Sequence, residues 1–265
     1  MPQLNSLGSR SLTGIGISRP APVTGQPAVI SYFGSTGESV TVSSDRLSLI
    51  TTAQARFGTR SLQKTPVNGF GGRANSVNVP LSQTLGAPVT MEAWVWVGVS
   101  YASPNFESGP SLMLHGPAVD VASVFPTNFI TVGCFGPNSF GFSARAAVSR
   151  IPPDGTASSA NDNNNTPIPL NTWTHIALSY SNSTTYAVWV NGTRRLTNTW
   201  SSGYGLNSVM TQLTLNSEGN VGPHYIDEVR VSNIDRYGVD NTTITVPTAE
   251  FVSDANTVAL VKFET

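Results

Sequence analysis

Between Trp173 and Asn191 the chain alternates with a period of two. Trp173, His175, Ala177 and Ser179 fall on one side and Thr174, Ile176, Leu178 and Tyr180 on the other, then Tyr186, Val188 and Val190 against Ala187, Trp189 and Asn191. Such alternation predicts two strands. Polar Ser181, Asn182, Ser183 and Thr184 join them as a hairpin, and Asn191-Gly192 predicts a tight turn because both residues tolerate positive φ. A second strong run, Val89 to Val99, sets Met91, Ala93, Val95, Val97 and Val99 against Glu92, Trp94 and Trp96. Two largely apolar faces predict a central, covered strand.

Shorter runs follow the same rule. Strands are predicted around Val29-Ile30 with Tyr32-Phe33, Val40 and Val42, Leu47 and Leu49, and Val77 and Val79, the last ending at Pro80. Further strands are predicted at Leu112 to Leu114, Phe129 to Phe135, Phe140 to Val148, Thr211 to Leu215, His224 to Val231 and Thr257 to Phe263. In HYIDEVRV, strict alternation sets Tyr225, Asp227, Val229 and Val231 opposite Ile226, Glu228 and Arg230. Residues 152 to 169 read as a long polar loop, and Ser232 to Tyr237 as a single helical turn. No pattern is long enough for a packed amphipathic helix. About a dozen strands with turn signals between them predict an all-β, two-sheet antiparallel jelly-roll sandwich. Residues 1–28, rich in Gly, Pro and Ser without alternation, predict an extended N-terminal arm, and residues 29–265 one sandwich domain.

Composition narrows the chemistry. Only 11% of the 265 residues are charged and the net charge is −1, which gives no electrostatic reason to expect nucleic acid or an anionic membrane. The N-terminus lacks the apolar core of a signal peptide, and no run approaches the ~20 apolar residues of a membrane span. One cysteine, Cys134, excludes an internal disulfide and a cysteine-based zinc site. Its neighbours Val132, Gly133 and Phe135 point to a buried, inert thiol.

Four segments carry a resemblance. Phe57-Gly58-Thr59-Arg60-Ser61-Leu62, Val89 to Val95 (VTMEAWV), Trp173 to Ala177 (WTHIA) with Val188 to Gly192 (VWVNG), and Ile226 to Val231 (IDEVRV) stand in an order that resembles laminin-G-like, concanavalin A-like jelly-roll domains. The resemblance covers about residues 28 to 265 and implies two curved antiparallel sheets packed face to face. The closing run from Asp254 to Phe263 is similar to the ends of such domains in structural proteins of tailed bacteriophages, and the arm resembles a phage leader segment.

That resemblance implies three functional classes, and the residues weigh them. A retaining glycosidase needs carboxylates facing one cleft, a pair of them roughly 5–5.5 Å apart. Asp227 and Glu228 are adjacent and Glu92 stands alone, so no enzyme is expected. Buried carboxylates in apolar strands need partners, for which Arg230 and His175 are the candidates. His115, His175 and His224 read as hydrogen-bonded framework residues. Carbohydrate binding would use an exposed aromatic beside polar groups, for which Trp200 and Tyr204 in NTWSSGYG are the candidates. Calcium would use hard oxygen ligands, for which Asp154, Asp162 and Asn163 are the candidates. No other cofactor is expected. The reading that results is a non-enzymatic virion protein: a capsid decoration or a tail or fibre component, whose arm binds other virion subunits in a homo-oligomer or larger assembly. The alternative is a carbohydrate-binding module for attachment to host or environmental glycans.

Overall fold

A computed structural model describes residues 28–31, 50–64, 77–98, 108–116, 129–135, 145–151, 158–161, 168–199, 206, 210–215 and 224–264. The described elements are all strands. They are β1 (Ala28–Ser31), β2 (Ile50–Thr51), β3 (Ser61–Lys64), β4 (Val77–Leu85), β5 (Val89–Val97), β6 (Ser108–His115), β7 (Phe129–Phe135), β8 (Arg145–Ile151), β9 (Ser158–Asn161), β10 (Trp173–Tyr180), β11 (Thr185–Val190), β12 (Thr193–Thr199), β13 (Met210–Leu215), β14 (His224–Ser232) and β15 (Thr257–Lys262). The expected runs at Tyr32-Phe33, 40–42 and 47–49 lie outside the described residues, as do Val99 and residues 140–144.

The strands form two sheets packed as a sandwich. The nine-stranded sheet has the order β1-β15-β14-β5-β10-β11-β12, with β3 pairing β14 and β2 pairing β3. The six-stranded sheet has the order β4-β13-β6-β7-β8-β9. Pairings are antiparallel except that of β1 with β15. The core between the sheets takes Met91, Ala93, Val95 and Val97 from β5, Ile176, Leu178 and Tyr180 from β10, and Tyr186, Val188 and Val190 from β11. Opposite them stand Leu112, Leu114, Ile130, Val132, Leu213 and Leu215. The alternation read in the sequence therefore sorts these side chains correctly, and β5 is central, between β14 and β10.

Several expectations need correction. The hairpin is part of a meander, because β12 continues from the Asn191-Gly192 turn, where φ is 47° and 80°. The polar composition of β12 (TRRLTNT) hid it, and an edge strand can be polar. Pro80 does not end β4, which runs on to Leu85. β4 is itself an edge strand, where a missing N–H leaves no ladder partner bereft, and the β13 ladder slips between Met210 and Gln212 beside it. Within the expected 152–169 loop, Ser158–Asn161 pairs with β8 as another polar edge strand. β8 itself reaches Ile151 rather than stopping at Val148. The expected helical turn at 232–237 is absent. Ser232 ends β14, and the Asp235 carboxylate accepts the N–H groups of Gly238 (2.9 Å) and Val239 (3.1 Å) that a helix would have given to backbone carbonyls.

The last correction matters for the site. β14 contains a bulge: its register against β5 slips between Asp227 and Arg230, and Glu228 has φ 47°. A two-for-one insertion breaks strict alternation. Ile226 and Val229 therefore share the core face, whereas the period of two had put them on opposite sides.

Candidate functional site

The outward face of the nine-stranded sheet carries the chemistry-bearing residues of the described chain. Glu92 on β5 lies directly opposite Arg230 on β14, and one step from His175 on β10. All donors converge on its carboxylate. Arg230 gives its Nε–H to Oε1 (2.8 Å), and its Nη2 forms an ion pair with the same oxygen at 2.7 Å. His175 Nε2 lies 3.1 Å from Oε2, and the Tyr237 hydroxyl donates to the same oxygen.

The electrostatics follow from those partners. Burial alone would raise the Glu92 carboxyl, but the His175 hydrogen bond, the Arg230 charge and the Tyr237 hydroxyl outweigh it and hold it below its usual range. Burial and the neighbouring Glu92 charge push the Tyr237 hydroxyl well above its ordinary value. With Glu92 anionic, His175 Nε2 carries the proton. Three hydrogen bonds and the Arg230 charge hold the carboxylate as an anion.

Aromatic residues and a strap seal the network. The rings of Trp94 (5.5 Å), Phe251 (6.2 Å) and Tyr237 (6.4 Å) surround His175. The Arg230 guanidinium lies 4.5 Å above the Phe251 ring, and that of Arg56 lies 4.0 Å above Trp94. Residues 233–252 form the strap. Trp189 Nε1–H donates to the Asn241 carbonyl (3.0 Å), Arg194 Nη1 donates to those of Val239 and Asp240 (2.9 Å each), and Ile244 N–H donates to Gly192 (2.8 Å). Arg236 grips Asp254 with two bonds of 2.8 and 2.7 Å. Trp189 is fully buried on this outward face, packed with Ala177, Ala187 and Val239.

The bulge holds two more buried carboxylates. Asp227 accepts N–H groups from Arg56 (2.7 Å), Phe57 (3.2 Å) and Glu228 (2.8 Å). Glu228 accepts the Phe251 N–H (2.7 Å), with Lys262 Nζ 3.9 Å away. Burial raises Asp227 to about 6 against its three N–H donors, and raises Glu228 to about 7 against the Phe251 N–H and Lys262. Each carboxyl anchors a chain segment crossing the sheet edge.

His115 has the expected framework role: its ring bonds the Gly116 carbonyl (2.8 Å) and Thr214 Oγ1 (2.8 Å). His224 is buried in β14. Burial pushes the Cys134 thiol far up, so it is inert. Among the described residues no group of three or more His, Cys, Asp or Glu side chains could hold a metal ion. Trp200, Tyr204, Asp154, Asp162 and Asn163 lie outside the described residues. Tyr237 and the strap were missed by sequence reading, for they sit in irregular chain with no periodicity. Of the two carboxylates for which Arg230 and His175 were the candidate partners, Glu92 takes both, whereas Asp227 takes neither and is held by backbone N–H groups.

No protein-family model matches the chain, and no curated protein matches it in sequence. Solved sandwich-type β domains resemble it in structure. Tailspike protein 2 of Escherichia coli O157:H7 bacteriophage CAB120 is 15% identical, with a TM-score of 0.49 over 78% of this chain and 27% of its own. The ligand-binding domain of botulinum neurotoxin serotype D, solved with N-acetylneuraminic acid, is 8% identical, with a TM-score of 0.48 over 74% and 42%. Domain 4 of AbnA, an extracellular arabinanase from Geobacillus stearothermophilus solved with arabinotriose, is 16% identical, with a TM-score of 0.42 over 69% and 74%. The likeness is one of sandwich architecture.

Proposed function

We propose that this chain is a non-enzymatic structural module of a virion, a capsid decoration or a tail or fibre component, built on a lectin-like sandwich. One observation carries the non-enzymatic part. The four segments that resemble laminin-G-like domains meet in one place, around Glu92, His175, Asp227 and Arg230, and every carboxylate there is engaged by protein donors. The fingerprint residues hold the scaffold together and leave no acid and base for a substrate. The virion setting rests on the resemblance of the closing run and the arm to phage structural proteins. Mass spectrometry of purified particles tests it: the chain is present at a fixed copy number, and deleting residues 1–25 removes it from particles while the sandwich stays folded. Normal incorporation without the arm overturns the arm's role, and absence from particles overturns the reading.

A second reading, attachment to glycans, has one structural point in its favour. Trp200 and Tyr204 follow in sequence directly after β12, an edge strand whose Thr197, Asn198 and Thr199 are exposed. A glycan array run with and without calcium tests Trp200 and Tyr204 together with Asp154, Asp162 and Asn163. Binding lost in Trp200→Ala and Tyr204→Ala supports the reading, and no binding at millimolar glycan overturns it.

A further inference from the structure

We infer that the aromatic row Trp173, Trp96 and Tyr225, on the outward face of the nine-stranded sheet, is a stacking platform for an uncharged oligosaccharide. Such a platform rests on the glycan-attachment reading above and puts the contact at a place other than Trp200 and Tyr204.

Sheet pairing builds the row. Val95 and Val97 of β5, Ile176 of β10 and Ile226 of β14 belong to the core between the sheets, so by the period of two Trp96, Trp173 and Tyr225 face the other way. Trp96 lies opposite Trp173 on one side and opposite Tyr225 on the other, and Tyr225 lies opposite Gln63 of β3. Three aromatic side chains thus stand abreast on three adjacent strands, over two strand spacings or roughly 10 Å. That length accommodates more than one sugar ring.

The next row back is sealed, and this one is not. Two residues earlier on β5, Trp94 is 3% exposed, because the Arg56 guanidinium lies 4.0 Å above its ring, Phe57 meets it at 6.0 Å and Phe251 packs beside it. Trp96 and Trp173 stay partly exposed, with the more buried Tyr225 backing them. Among the described residues the ring contact of Trp96 is with Tyr225, centroids 5.1 Å apart at 75°, and a perpendicular contact covers at most one side of an indole. Aromatic cross-strand pairs stabilise a sheet, which accounts for the three rings being neighbours. It does not account for large apolar rings at positions open to solvent, which an antiparallel sheet ordinarily fills with polar side chains.

Charge selects the ligand. The residues bordering the row are polar and neutral: Gln63 is partly exposed beside Tyr225, and Asn171 and Thr172 are exposed just before Trp173. A sugar ring offers an apolar C–H face to an indole and hydroxyls to the amides and alcohols around it, the mixture of apolar contact and few polar groups that small-molecule sites use. Nucleic acid also stacks on aromatic rings, but it needs cations along its phosphates. The register positions of this row carry none, and Arg56, over the sealed row, is already engaged with Phe57 and Trp94.

The test titrates the full chain with cellotetraose, maltotetraose and lacto-N-tetraose, and with sialyllactose as the charged comparison, by calorimetry and tryptophan fluorescence. A neutral tetrasaccharide should bind and change the tryptophan emission. Trp96→Leu, which keeps an apolar side chain in the sheet, should weaken that binding by about tenfold or more in a chain still folded by circular dichroism, and Trp96→Phe should restore most of it. If Trp96→Leu does not fold, Trp173→Leu reads the same row. Trp200→Ala and Tyr204→Ala should leave the affinity unchanged. Binding that survives both Trp96→Leu and Trp173→Leu, or that prefers sialyllactose, overturns the platform. If the surviving binding is lost in Trp200→Ala or Tyr204→Ala, the glycan-attachment reading stands without the platform. No binding of any of these sugars at millimolar concentration overturns both.

Discussion

Glu92 and the Asp227-Glu228 pair lie near one another on the same sheet, all buried to within about 2% exposure, yet they sit on opposite sides of their ordinary acidity. The difference is in the donors. Glu92 receives a guanidinium, an imidazole and a phenol, and the Arg230 cation offsets the cost of taking its charge out of water. Asp227 and Glu228 receive backbone N–H groups, the nearest cation is 3.9 Å from Glu228, and like charges face them, Glu264 for Asp227 and Asp227 with Glu250 for Glu228. Backbone dipoles alone do not fully replace the lost hydration. One region is therefore a stable internal ion pair, and the other is a pair of anchors that hold best when protonated.

The largest break in that contrast is removal of the cation. Arg230→Ala leaves Glu92 buried without its counter-charge and should cost about 3–5 kcal/mol, read as the shift of the urea midpoint at constant slope. Glu92→Gln/Arg230→Ala together should cost less than the two single changes added, because the double variant leaves no lone charge behind. Strict additivity would mean that the two groups do not interact.

Acidity sharpens it next. Asp227 and Glu228 have folded values, about 6 and about 7, above their ordinary ones of 3.8 and 4.5. Their contribution is fully present below about pH 4 and is lost as pH rises through 6 and 7. Glu92, held below 4.5, has the opposite sign: its contribution is present above about 4.5 and fades as pH falls. Stability should therefore peak near pH 4, where the two windows meet, and decline toward pH 7.5 by several kcal/mol. Glu228→Gln keeps an oxygen for the Phe251 N–H and should flatten the upper part of the decline. A thermal-melt series from pH 4 to 8 that rises monotonically would contradict the assignment.

These groups also mark where sequence reading worked and where it stopped. The core faces of β5, β10 and β11 were legible because burial on one side of a twisted sheet imposes a period of two on side chains. The Asn191-Gly192 turn was legible because its left-handed backbone admits few residue types. The β14 bulge was not. One inserted residue shifts the face of everything after it, and Glu228 with φ 47° carries no sign of this in its identity. β9 and β12 were hidden for a related reason: edge strands need backbone partners and not apolar side chains, and their polar residues resemble loop. Pro80 misled in the same way, since its missing N–H matters only inside a sheet. At the site, Glu92 announced its need for a partner by being a lone carboxylate among tryptophan and valine. Tyr237 could not be found, because the strap that carries it has no period.

A smaller change addresses the neutral donor. Tyr237→Phe removes one hydrogen bond to the Glu92 anion and leaves the ring packed on Trp189, 5.8 Å away, and on His175. A bond to a charged acceptor contributes about 1.5–3 kcal/mol, so the loss should fall below that of Arg230→Ala. It should also move the acid limb of the pH profile upward, because Glu92 then protonates more readily. A loss of stability without that shift would assign Tyr237 to packing alone.

The smallest effect belongs to the strap's outer clasp. Arg236 holds Asp254 through two short bonds, and the Arg236 hydrogen bond lowers the Asp254 carboxyl well below its usual range, yet Asp254 is 44% exposed at its side chain. Exposed pairs contribute at most about 1 kcal/mol because solvent and salt screen them. Asp254→Asn should therefore shift global stability little and lose even that in high salt. Its effect should instead be local: faster hydrogen exchange at Gly238, Val239 and Ile244, whose N–H groups hold the strap, with exchange in β5 and β10 unchanged. If β5 exchanges faster as well, the strap and the Glu92 network open together, and the closed face behaves as one cooperative unit rather than as a rigid sheet beneath a separately closing cover.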